Sequence, residues 1–145
     1  MGSTFVTFRD RSFEASDAVL EIWLHLLVEA IDKTPHLPNW LKEVREEWYI
    51  QATEVFGFGV MPGLDRIVTS LERRDVILGL CSTAMKRLHD YGPIISKDEL
   101  NIILGADERH CFVANGRTER FEKAGEYLMK LLREELRPEE SDARF

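Results

Sequence analysis

Cysteine is scarce in this 145-residue chain: Cys81 and Cys111 are the two it has. Two are too few for a disulfide framework in a domain of this size, so a reduced, cytoplasmic setting is the expectation. The five prolines and nine glycines build no stretch long enough to link separate domains. Long apolar runs are missing too. The longest, "AVLEIWLHLLVEAI" from Ala18 to Ile31, is broken by Glu21, His25 and Glu29, which argues against a membrane span. No basic–apolar–small signal segment opens the chain. Positive charge is in deficit, with 19 Lys and Arg against 26 Asp and Glu and a formal net charge of −7. Such a balance gives no diffuse attraction for nucleic-acid phosphates or anionic lipid, and it favours a cationic partner.

Nucleotide and metal motifs are lacking as well. "GFGVMPG" (Gly57, Gly59, Gly63) has neither the GxGxxG spacing nor the GK[ST] of a phosphate loop, and a helix rather than a strand precedes it. Glu21, His25 and Glu29 are spaced by four residues and share one helix face. Carboxylate-bridged metal sites in bundles repeat a Glu-x-x-His pair on other helices. This chain carries none, so no metal or cofactor is expected, and the column reads as the solvent or partner edge of its helix. "ADERHC" puts His110 beside Cys111, a pairing that could activate a thiol. In a strand, however, neighbouring side chains point to opposite faces, and Cys111 then reads as a small buried side chain. Cys81 lies on an apolar helical stripe.

What is present is ordinary for a folded protein: 44% apolar and 31% charged residues. "TFVTF" (Thr4–Phe8) is β-prone. Ser16 or Asp17 can cap a first helix, whose apolar positions cover most of its circumference. Pro35 and Pro38 end it, and Asn39 starts a second helix with an apolar face at Leu41, Val44, Trp48 and Ala52. A short turn is expected over Leu64–Val68. Capping-box spacings at Thr69–Glu72 and Ser96–Glu99 open two more helices. Thr118 can cap the last one. Segment 110–114 reads as a strand that could pair with 4–8. The expected fold is mainly α: one compact bundle of about five helices over residues 1–137, with at most a small two-stranded β-element. Residues 138–145 read as a frayed polar tail.

The negative charge is uneven. Residues 1–54 hold five basic and ten acidic side chains, a net of −5. The expected function is therefore a small acidic protein-binding module, not an enzyme, that occludes a partner with a basic surface. Its contacts are expected at Glu21, Glu29, Glu43, Glu46 and Glu47, with Phe56 and Phe58 in the Gly-rich loop as apolar anchors. In composition alone the chain is similar to toxin-neutralising immunity and antitoxin proteins. Other readings are a helical small-ligand sensor with a pocket lined by Trp23, Trp40, Trp48 and Met85, a Cys/His enzyme, and a homodimer with no other partner.

Overall fold

A computed structural model of the chain describes residues 2–53, 62–105, 111–142 and 144–145. It opens with a hairpin, β1 (Ser3–Phe8) and β2 (Arg11–Ser16), whose register runs from Ser3 opposite Ser16 to Phe8 opposite Arg11. Alternation puts Val6, Phe8, Phe13 and Ala15 on the buried face. The two-residue connection contains no glycine. Arg9 takes the left-handed conformation, φ 56°, that a tight hairpin turn needs. Its backbone N–H donates to Asp65 Oδ1 at 2.7 Å and its guanidinium meets Glu134 at 3.0 Å. Tertiary contacts hold a turn that no Asn-Gly or Asp-Gly announces. The expected strand at 4–8 is therefore present, but its partner is β2, and the described residues 111–114 form no strand.

Helix α1 (Asp17–Asp32) follows directly, with the Ser16 hydroxyl accepting from Val19 N at 3.2 Å. It is the centre of the molecule. α2 (Asn39–Thr53), α4 (Leu71–His89), α5 (Lys97–Leu104) and α6 (Thr118–Leu132) all pack against it. Coverage from so many sides is what a nearly all-apolar circumference requires. A single turn, α3 (Leu64–Ile67), precedes α4. Ser70, not Thr69, caps α4 and accepts from Arg73 N at 3.1 Å. Ser96 caps α5 as its spacing predicts, accepting from Glu99 N at 3.1 Å, and Gly105 closes that helix at φ 64°. A second, two-residue pairing joins β3 (Ile94–Ile95) to β4 (Gly116–Arg117). It swings Thr118 against the Gly92–Pro93 turn. The Thr118 hydroxyl donates to Gly92 O and its backbone N–H to Pro93 O, so Thr118 is a buried anchor in place of the expected cap.

The fold is thus mainly α in one compact domain with small β-elements. Trp23 and Trp48 are both in the core, and each indole N–H finds a carbonyl at 2.8 Å: Phe121 O for Trp23 and Pro62 O for Trp48. The space beside them is only about 20 Å³, room for roughly one water. Trp40 is half-buried on the outside, with Arg73 stacked 4.8 Å above its ring. The three tryptophans do not converge on a common pocket.

The end of the chain docks where a frayed tail was expected. A 3-10 turn over Pro138–Asp142 packs against β2. Beyond it, Phe145 N donates to Glu14 O and Ser16 N donates to Phe145 O, a parallel bridge beside β2. The Phe145 ring sits 4.6 Å from Tyr127 and 6.2 Å from Phe13. Polar composition concealed this because the last residues dock through backbone groups, one aromatic ring and an Arg144–Glu14 ion pair.

Glu140 fastens the turn. Its carboxylate accepts from Arg137 N at 3.0 Å, Lys130 Nζ at 2.9 Å and Arg137 Nε at 3.2 Å. These bonds, the backbone N–H first, hold its carboxyl down to about 2. A carboxyl depressed in the folded state stabilises it fully above the ordinary value of 4.5, and that stabilisation fades as pH falls from 4.5 through about 2. Melting curves between neutral pH and pH 3 are therefore expected to show the native chain losing more stability in acid than its Glu140→Gln variant. Equal acid sensitivity would show that this clasp does not hold the turn.

Candidate functional site

Helix α2 turns Leu41, Val44, Trp48 and Ala52 inward against α1. The 3.6-residue period then fixes what faces out: Lys42, Glu43, Glu46, Tyr49 and Ile50. Tyr49 and Ile50 are 41% and 44% exposed, beside the carboxylates of the preceding turn. Arg45 sets the edge of this face. Its guanidinium grips both oxygens of Asp32 at 3.0 and 3.2 Å, reaches Glu46 at 2.9 Å, and lies 5.0 Å from the Tyr49 ring centre. The hydrogen bond to Asp32, ahead of the charge of Asp32 and Glu46, raises its pKa further. Arg45 thus pins Asp32 at the start of the connection and orients Tyr49.

The expected acidic contacts fall into different surroundings. Glu43 is exposed, and no ion pair to it is found among the described residues. Glu46 is exposed and shares Arg45. Glu47 is half-buried and tied to Arg66 of α3, so its charge is committed within the fold. Glu29 pairs with Lys33 at 2.9 Å and with Arg87 of α4 at 3.2 Å. Partial burial pushes its carboxyl up, but hydrogen bonds and charge from those two cations outweigh burial and hold it below the ordinary value. Phe56 and Phe58 lie outside the described residues.

Glu21 corrects the reading of the column as a wet edge. It is only 3% exposed, because α5 and segment 111–116 lie over this part of α1. His25 and Glu29 are both half-buried, and Glu29 keeps a partly wet flank. Periodicity placed the three on one face but could not say which neighbour covers that face.

Cys111 also differs from expectation: it is exposed. Segment 111–115 is not a strand. The Asn101 side chain replaces a ladder partner, donating to Phe112 O at 3.0 Å and accepting from Phe112 N at 2.6 Å. Asn115 Oδ1 accepts from Lys97 N at 2.9 Å. His110 lies outside the described residues. Cys81 sits on the buried side of α4, and burial pushes its thiol up to about 12, far from the depressed range of a nucleophilic cysteine.

No protein-family model, characterised protein or solved structure matches this chain. Among the described residues no helix is long and apolar enough to cross a membrane.

Proposed function

We propose that this chain is a small, acidic protein-binding module of the immunity or antitoxin type, working in the cytoplasm. It acts by covering a basic surface of its partner. The observation that supports this is the outer face of α2, where Glu43 and Glu46 stand beside the exposed Tyr49 and Ile50. Carboxylates on the approach side raise the encounter rate with a cationic surface. A half-exposed aromatic ring, held in place by Arg45, supplies the apolar anchor that such contacts concentrate their energy in. The net charge of −7 adds a long-range field of the same sign.

Glu43 and Glu46 form the steering pair. Glu47, tied to Arg66, contributes to the fold first, so a fair test leaves it alone. Affinity capture with the native chain and with the Glu43→Lys/Glu46→Lys variant is expected to differ in one respect. Proteins with a basic surface retained by the native chain are lost from the variant, and association slows by about tenfold at low salt. An unchanged set, or association with no salt dependence, removes the acidic-face mechanism.

A further inference from the structure

A cleft of about 220 Å³ opens between α1, segment 111–116 and the start of α6, away from the α2 face. Most of its wall is apolar, from Leu104, Phe112, Val113 and Phe121. Two charged groups of opposite sign interrupt that wall. Glu21 lies within the cleft and is almost wholly removed from solvent, while Arg120 is exposed at the rim. Ser16 Oγ holds Arg120 in place, accepting from Nη2 at 3.1 Å.

We propose that this cleft binds a small zwitterion with an apolar side chain, an aliphatic or aromatic amino acid. The ammonium lies toward Glu21, the carboxylate toward Arg120, and the side chain against Leu104, Phe112 and Phe121. Three considerations carry this. A carboxylate's two oxygens offer about four acceptor sites, so Glu21 can take a ligand ammonium beside its contacts within the fold. A guanidinium has five N–H donors in a planar fork, and the bond to Ser16 leaves the others for a carboxylate in paired geometry. The volume is below the roughly 300–1,000 Å³ of pockets for drug-sized ligands, which sets an occupant of amino-acid size. A simple amine would meet the rim cation without a counter-charge, and a simple carboxylate would meet Glu21.

Calorimetric titration of the full chain with L-leucine and L-phenylalanine at millimolar concentration tests this. One of the two is expected to bind. Its matched amine (isoamylamine or phenethylamine) and matched acid (4-methylpentanoate or 3-phenylpropionate) are expected to bind at least about tenfold more weakly. Arg120→Gln, a change at an exposed residue, is expected to weaken the amino acid by about tenfold, and Glu21→Gln to do the same if it folds. The Glu43→Lys/Glu46→Lys variant keeps full affinity, which separates this site from the protein-binding face. Absence of binding by both amino acids, equal binding of the amine or the acid, or no effect of Arg120→Gln overturns the proposal.

Discussion

Truncating Trp48 to alanine is expected to lower stability by about 3–5 kcal/mol, the range for removing a large aromatic side chain from a packed core. The indole is fully enclosed, and its N–H bond to Pro62 O is lost together with the ring. The cavity cannot collapse easily, because α1 presses on α2 along the line of Leu41, Val44 and Ala52. For a domain of this length such a loss corresponds to a melting temperature lower by roughly 10–20 °C. Trp40→Ala provides the internal comparison. That ring is half-buried, with Arg73 over one face, so its loss is expected to cost about 1 kcal/mol, in the range of an exposed cation–π contact with partial burial. Denaturant unfolding of both variants checks the pair. Similar losses would mean that Trp48 is not the keystone of the α1–α2 contact.

Gly125→Ala carries the second large effect, and its sign is the opposite of what helix propensity gives. A glycine inside a helix costs up to about 1 kcal/mol relative to alanine, so by sequence alone the substitution should stabilise α6. In the fold, a Cβ at position 125 would overlap the benzo ring of Trp23 and come 2.7 Å from Met85 Sδ. Gly125 is a point where α6 lies against both α1, through Trp23, and α4, through Met85. Overpacking of this kind costs about 1–3 kcal/mol, and Trp23 has little freedom to move away because its indole N–H is bonded to Phe121 O. Net destabilisation is expected in denaturant unfolding. Trp23→Phe removes the ring atoms that the new methyl would strike, so the double variant is expected to be more stable than additivity of the two single changes allows. Strict additivity would show that the helices separate freely at this point.

The elements that could be read from the residues are those set by local physics. α1 and α5 begin and end, and α2 begins, within a residue or two of where their caps, prolines and glycines place them, because a cap is satisfied by the chain's own nearest neighbours. The inward set Leu41, Val44, Trp48 and Ala52 follows from the helical period, which also fixed Glu43 and Glu46 as outward. The exposed Tyr49 and Ile50 were legible by the same rule, as the residues left over on the far side of that stripe, although charge does not mark them.

Other features depend on groups far apart in sequence. The hairpin turn at Arg9 is held by Asp65 and Glu134, so no local signal could announce it. Glu21 became a buried carboxylate, and Cys111 an exposed thiol, because α5 and segment 111–115 pass over one end of α1, with Asn101 in place of a strand partner. The C-terminal residues dock through backbone bonds to Glu14 and Ser16, which composition cannot encode. By itself the sequence determined a helical chain with an acidic N-terminal third and a central helix that had to be enclosed. Tertiary structure alone decided which side of that helix each neighbour covers. Hydrophobic burial demands coverage without specifying direction, and direction comes from the close approach at Gly125 and from polar contacts between residues dozens of positions apart.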